Sequence, residues 1–224
     1  MCAKAVALAA RPEGMPKTSD FQIVDIESND PADGEIQVKN ICMSVDPYMR
    51  GRMVDRKSYV PPFQIGEPLT GGAIGKVTKS AHPDFKEGDF VSSHWGWRDG
   101  FTARAEGIER LGEIVAPASE YLGAIGMPGM TAYAGLLEVG ALKDGETVFV
   151  SGAAGAVGSI VGQIAKLKNC HVIGSAGNDE KVELLTKELG FDSAFNYNDG
   201  DLLGHLRELA PEGIDVYFDN VGAE

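Results

Sequence analysis

The stretch Thr147-Val148-Phe149-Val150-Ser151-Gly152-Ala153-Ala154-Gly155-Ala156-Val157-Gly158 decides how this chain of 224 residues folds. Its first four residues make a compact apolar and β-branched run, the kind that fills a buried parallel strand. A loop of glycines and alanines follows. Ala156–Lys168 then places apolar residues at Val157, Ile160, Val161, Ile164, Ala165 and Leu167, a stripe at helical spacing. Downstream the rhythm repeats: strands are predicted at His171–Gly174, Ser193–Tyr197 and Ile214–Phe218, and helices at Asp179–Leu189 and Leu202–Leu209. Strands that alternate with helices imply a parallel sheet with right-handed crossovers. This half is α/β.

The loop carries the chemistry. Set against G-x-G-x-x-G it reads Ala153-x-Gly155-x-x-Gly158, with the first glycine replaced. Gly155 would let a pyrophosphate approach the backbone, and Gly158 would let the helix pack close to the strand. Exposed N–H groups at the helix start and the helix dipole attract phosphate. A glycine-rich turn can also serve without a ligand, but a motif that follows a strand, opens a helix and begins a βαβ unit favours a dinucleotide. A carboxylate at the end of the second strand would hold a ribose 2′-OH and repel a 2′-phosphate. That strand ends His171-Val172-Ile173-Gly174-Ser175-Ala176-Gly177, without an acid, so NADP is permitted. Lys181, early in the next helix, could pair with the phosphate or simply balance Asp179 and Glu180 on the surface.

Upstream the composition shifts. Nine of the 11 prolines precede residue 121, and 17 of the 29 glycines follow residue 120. Up to residue 120, 14 basic residues face 18 acidic ones for a balance of −4; beyond it 6 face 15, giving −9. Short β-like runs at Phe21–Ile26, Glu35–Val45, Gly72–Val77 and Asp89–Ser92 alternate with turn clusters at 30–34 and 59–68. Residues 1–120 thus read as a mainly antiparallel β domain, and 121–224 as a separate α/β domain.

Composition excludes several classes. The net charge is −13 and the sequence pI near 4.7, without the basic footprint that nucleic acids or anionic membranes need. No apolar run reaches bilayer length, and the six-residue apolar stretch within Met1–Ala10 is too short for a signal segment. Cys2, Cys42 and Cys170 form neither a disulfide framework nor a C-x-x-C pair, so a reducing, cytoplasmic setting is expected. His82, His94, His171 and His205 lack partners at ligand spacing, and no metal site is expected. Without a nucleophile motif, the chemistry falls to a redox cofactor that the protein binds and orients.

Several phrases together carry a resemblance. They are Met43-Ser44-Val45-Asp46-Pro47-Tyr48-Met49-Arg50-Gly51-Arg52-Met53, Gly126-Met127-Pro128-Gly129-Met130-Thr131-Ala132-Tyr133, the 153–158 loop, Gly190-Phe191-Asp192, Phe195-Asn196-Tyr197 and Phe218-Asp219-Asn220-Val221-Gly222. On these the chain closely resembles the zinc-free medium-chain dehydrogenase/reductase superfamily. Within it the likeness is to prostaglandin reductases, leukotriene hydroxydehydrogenases, plant alkenal double-bond reductases and bacterial curcumin reductases. Where zinc-dependent relatives carry a Gly-His-Glu ligand motif, Thr70-Gly71-Gly72 stands here, and Cys42 falls near a zinc cysteine without a partner.

The resemblance implies a GroES-like first domain, a Rossmann-type second domain, and NADPH-dependent reduction of the carbon–carbon double bond of α,β-unsaturated aldehydes or ketones. It implies that Gly155, Ala156, Val157 and Gly158 hold the pyrophosphate and that Lys181 and Tyr197 bind the 2′-phosphate. Asn220, Met127 and Thr131 would lie on the nicotinamide side, and Tyr48 would face the substrate as hydrogen-bond donor or proton relay. The segments His94–Trp97 and Tyr59–Ile65 would offer a hydrophobic enone an aromatic and apolar surface. Relatives continue well past the Asn220 phrase, so a nucleotide domain short of its remaining strands is expected; homodimers are common for complete chains. Quinone reduction on the same fold, or NADPH binding without turnover, are the competing readings.

Overall fold

The computed structural model describes residues 2–58 and 60–222. The chain divides into two units, Met1–Leu122 and Gly123–Glu224.

In the first unit, β1 (Cys2–Leu8) pairs antiparallel with β2 (Phe21–Glu27), from Cys2 opposite Glu27 to Leu8 opposite Phe21. No strand was expected at β1, because alanine is depleted in strands. Here Ala3, Ala5 and Ala7 are the residues that turn inward and are buried. A second, five-stranded sheet uses β3 (Glu35–Met43), β4 (Ala73–Ser80), β5 (Phe90–Ser93), β6 (Gly100–Arg104) and β7 (Glu109–Gly112) in the order β6-β3-β4-β5-β7, every pair antiparallel. The expected run to Val45 stops at Met43. There the Ser44 N–H turns to the carbonyl of Gly72 at 2.8 Å and its hydroxyl donates to Asp46 at 2.7 Å. That turn leads into the short helix α1 (Tyr48–Arg52). One core, of Ile36, Val38, Val77, Val91, Phe101 and Ile108, fills the five-stranded sheet, and a second gathers Leu8, Met49, Met53, Phe63 and Leu69 beneath α1.

The second unit opens with α2 (Met127–Tyr133), which runs on into a π-helical segment at Ala134–Val139. Four parallel strands follow, β8 (Thr147–Val150), β9 (His171–Ala176), β10 (Ser193–Asn196) and β11 (Val216–Phe218), in the order β10-β9-β8-β11. They alternate with α3 (Ala156–Leu167), α4 (Asp179–Lys187) and α5 (Leu202–Leu209). Side chains alternate across a strand, and both faces of this sheet are covered. Val148, Val150, Val172 and Ala176 pack with Leu136, Val161, Ala165, Leu185 and Phe191 on one side. Phe149, Ile173 and Phe195 pack with Leu206, Leu209 and Ile214 on the other. That two-sided burial is why these strands read as continuous apolar runs. The order inverts between β9, on one side of β8, and β11, on the other. In open α/β sheets ligands bind at such a switch point, off the carboxyl ends of the strands.

Candidate functional site

At the carboxyl end of β8 the chain makes a tight loop before α3. The Ala153 N–H donates to the carbonyl of Ser175 at 2.9 Å and the Gly155 N–H to that of Gly152 at 2.9 Å, fixing the loop against β9. A β-carbon on Gly158 would stand 2.7 Å from the Gly152 oxygen and 2.8 Å from the Ala153 Cα. The first turn of α3 therefore rests directly on the loop.

Gly155 is the N-cap of α3 and has no side chain to offer. The N–H groups of Ala156, Val157 and Gly158 have no hydrogen-bond partner among the described residues. The neighbouring helices differ. Asn178 caps α4 by accepting from the Lys181 N–H at 2.9 Å, and Asp201 caps α5 by accepting from the Gly204 N–H at 2.9 Å. Of these three helices, the one at the switch point alone has no side-chain cap on its first turn. Orphan N–H groups and the positive end of the dipole fit a pyrophosphate. The residues present thus suit a dinucleotide.

The β11 end closes on the same loop. The Ser151 hydroxyl donates to Asp219 Oδ1 at 2.6 Å and accepts from the Asn220 N–H at 2.9 Å. The Asn220 side-chain amide donates to the Ser151 carbonyl at 3.0 Å. Asp219 Oδ1 also accepts from the Val221 N–H at 3.0 Å. These donors, Ser151 first, hold the Asp219 carboxyl down at about 2 against an ordinary 3.8. Ser151 and Asp219 received no role in the sequence reading. The signal available was the Asp219-Asn220 phrase, whose value shows only when β8 and β11 lie side by side.

At the β9 end, Lys181 lies exposed in the first turn of α4, and its ammonium has no carboxylate within ion-pair distance among the described residues. Tyr197 follows β10, half-exposed, with its hydroxyl 2.6 Å from where a β-carbon on Gly177 would stand. Asn198 donates to the Gly177 carbonyl at 2.8 Å, and Asn196 to Asp179 at 2.9 Å. The ends of β9 and β10 are clasped together, which brings Tyr197 to the turn that leads into α4.

Met127 is 60% exposed on α2, and the Thr131 hydroxyl donates to its carbonyl at 2.8 Å, which leaves the Thr131 oxygen able to accept. In the first unit Tyr48 opens α1 after Pro47, half-buried against the cluster of Leu8, Met49, Met53, Phe63 and Leu69. It lines a cavity of about 630 Å³ with Val54, Val60 and Pro62 among its walls.

The aromatic segment beyond is largely spent on packing. Trp95 stacks on Phe101, centroids 5.3 Å apart, with the Arg98 guanidinium 4.9 Å over it. Trp97 packs with Leu8 and Met49. Tyr59, in the other expected lid segment, lies outside the described residues. Cys42 is half-buried, and burial pushes its thiol up. Among the described residues no three His, Cys, Asp or Glu side chains gather as a metal site would require, and no helix is long and apolar enough to cross a membrane.

A parallel sheet whose helix at the switch point has no side-chain cap, in a chain that also carries an antiparallel β unit, is the architecture of the medium-chain dehydrogenase/reductase fold. Residues 4–111 match the family described as the N-terminal domain of oxidoreductase, and residues 156–224 that described as zinc-binding dehydrogenase. The chain belongs to the zinc-free medium-chain dehydrogenase/reductase superfamily.

Among curated relatives, it is 47% identical over 229 residues to the NADP-dependent 2-alkenal reductase of Nicotiana tabacum, with 99% of this chain and 66% of that one covered. It is 42% identical over 217 residues to the NADPH-dependent curcumin reductase of Escherichia coli, with 97% and 63% covered. Among solved structures, CurA from Vibrio vulnificus in complex with NADPH superposes with a TM-score of 0.92 at 42% identity, covering 99% of this chain and 66% of that one. The chain spans less than two thirds of the length of these curated relatives.

Proposed function

We propose that this protein reduces the carbon–carbon double bond of α,β-unsaturated aldehydes or ketones with NADPH. The observation that carries the reading is the α3 N-terminus, where the N–H groups of Ala156, Val157 and Gly158 await an anion at the switch point of the sheet. The similarity to an alkenal reductase and a curcumin reductase supports the reaction class. NADPH, when bound, supplies the hydride.

The chain's own residues do the rest. The loop from Ser151 to Gly158 holds the pyrophosphate through backbone N–H groups. Lys181 and Tyr197 receive the 2′-phosphate, with no acid at the end of β9 to oppose it. Met127, Thr131 and Asn220 orient the nicotinamide end. As hydride reaches the β-carbon, negative charge grows on the carbonyl oxygen, and a proton from solvent water then adds at the α-carbon to complete the saturated product. A phenol, with an ordinary pKa of about 10, donates to that oxygen at neutral pH without losing its proton, and this is the role assigned to Tyr48.

The test is NADPH oxidation against a panel of conjugated enones and alkenals, with NADH and a quinone series in parallel. Enone turnover, much faster with NADPH than NADH, is the expected result. Faster turnover of quinones would replace the reading with a quinone reductase. NADPH binding without turnover of any acceptor would leave a nucleotide-binding protein.

A further inference from the structure

The chain carries an acid close to the place where one counts against NADPH. β9 itself ends without a carboxylate, but Asp179 stands two residues past Gly177, as the first residue of α4. A carboxylate turned toward the end of β9 would repel a 2′-phosphate there.

Asp179 is held away from that role. The Asn196 side-chain amide donates to Asp179 Oδ1 at 2.9 Å. Asn196 is the last residue of β10 and lies opposite Ala176 of β9 in the parallel register. Its side-chain oxygen is committed as well, accepting from the Asn198 N–H at 3.1 Å, and this fixes which end of the amide meets Asp179. Asn198 in turn donates through its side chain to the Gly177 carbonyl at 2.8 Å. Tyr197, between the two asparagines, brings its hydroxyl to 2.6 Å from where a β-carbon on Gly177 would stand. One short turn thus carries Tyr197 to the end of β9 and ties the nearby carboxylate to β10. Lys181 does not restrain Asp179: residues two apart on a helix do not face each other, and no ion pair joins them among the described residues. A neutral amide directs the carboxylate and leaves the lysine charge for a phosphate.

We propose that Asn196 is a positioning residue for cofactor choice: by holding Asp179 against β10 it keeps a carboxylate out of the 2′-phosphate's place and favours NADPH over NADH. The inference rests on the reading of Lys181 and Tyr197 as the phosphate site.

The test is equilibrium titration of NADPH and NADH, by fluorescence, on variants whose folding a thermal melt has checked. Asn196→Ser keeps an oxygen for the Asn198 N–H, as serine does in such turns, and loses the amide that reaches Asp179. NADPH should weaken by about fivefold, the scale of one unit-charge repulsion at about 4 Å in water, while NADH changes by less than about twofold. Adding Asp179→Asn to Asn196→Ser should return NADPH to within about twofold of the wild type, the coupling that a double-mutant cycle reads. Glu180→Gln in the same background removes an equal charge from the same turn and should not restore it. An Asn196→Ser protein that binds NADPH as tightly as the wild type overturns the proposal. So does a deficit that persists with Asp179→Asn, because the loss then comes from the 196–198 turn. Equal rescue by Glu180→Gln overturns it too, because net charge then explains the effect. All three results leave the phosphate site standing where the wild type prefers NADPH. A wild type that binds NADPH no tighter than NADH overturns the phosphate site and the positioning role together. No acceptor enters these titrations, so a failure of enone turnover sinks the reductase reading alone.

Discussion

The side-chain amide of Asn220 donates to the backbone carbonyl of Ser151 at 3.0 Å, so the residue after β11 is tied to the loop that follows β8. The backbone N–H of Asn220 reaches the Ser151 hydroxyl as well, at 2.9 Å. Two strands distant in sequence thus fix one loop, and that loop presents the donors of α3. Asn220→Ala removes the side-chain bond and leaves the backbone one. Stability should fall by about 1 kcal/mol, the net value of a single hydrogen bond, and NADPH affinity should fall by more than that loss explains because the loop loosens. A thermal melt together with a fluorescence titration of NADPH separates the two. Unchanged affinity would confine Asn220 to a structural role.

The same latch predicts a pH dependence. Asp219 has its carboxyl held down at about 2 from 3.8, chiefly by the Ser151 hydroxyl. A carboxyl depressed in the folded state adds stability that is present above the unfolded value and is lost as pH falls through the folded value. The window is therefore from about pH 3.8 down to about 2. Asp219 is exposed, so the effect is small. Ser151→Ala returns the folded value toward 3.8, and the stability lost between pH 4 and pH 2 should be smaller than in the wild type. Urea unfolding across that range reads the difference, and parallel curves for the two proteins would contradict it.

Gly155 and Gly158 share one motif but differ in what a methyl would meet. At Gly158 it would press on backbone atoms at 2.7 and 2.8 Å, which have little room to move. At Gly155 the nearest atom is the Gly152 oxygen at 3.1 Å. Gly158→Ala should cost about 1–3 kcal/mol, the usual range for forcing extra volume into a packed site. Gly155→Ala should cost clearly less in stability while still weakening NADPH, if its pyrophosphate passes close to that backbone as proposed. Chemical denaturation and cofactor titration of both variants check the order.

The strand-loop-helix of the second unit was legible because its signals are local: β8 is a closed apolar run, α3 a stripe at period 3.6, and the loop between them glycine-rich. The parallel sheet followed from alternation alone. What stayed hidden depends on distant pairing. β1 buries alanines, which carry little strand preference. The short strands β6 and β7 have no apolar run long enough to announce them. The Ser151–Asp219 latch joins residues 68 positions apart.

Tyr48 offers a prediction about rate. If its phenol donates to the carbonyl oxygen as charge develops there, Tyr48→Phe keeps the ring that packs on the cluster of Leu8, Met49, Met53, Phe63 and Leu69 and removes the hydroxyl. Loss of one such donor costs about a hundredfold in kcat. KM should change little, because the bond strengthens only as charge grows. Steady-state kinetics with an enone give both parameters, and an unchanged kcat would move the donor role to another group.

Lys181 offers a prediction about the choice between cofactors. It stands in the first turn of α4, exposed and without a carboxylate partner among the described residues, although Asp179 and Glu180 precede it in sequence. Asp179 is occupied by the Asn196 amide at 2.9 Å. The α4 cap is made by Asn178 to the Lys181 backbone N–H, so replacing the side chain leaves the helix start intact. Lys181→Gln should therefore leave the melting temperature nearly unchanged and weaken NADPH by about tenfold, the scale of one charge-assisted bond to phosphate. NADH, which has no 2′-phosphate, should bind as before. The ratio of the two dissociation constants is the decisive quantity, because a general disturbance of the loop would weaken both cofactors alike. A variant that loses affinity for NADH and NADPH equally would show that Lys181 supports the fold of the site and does not read the phosphate.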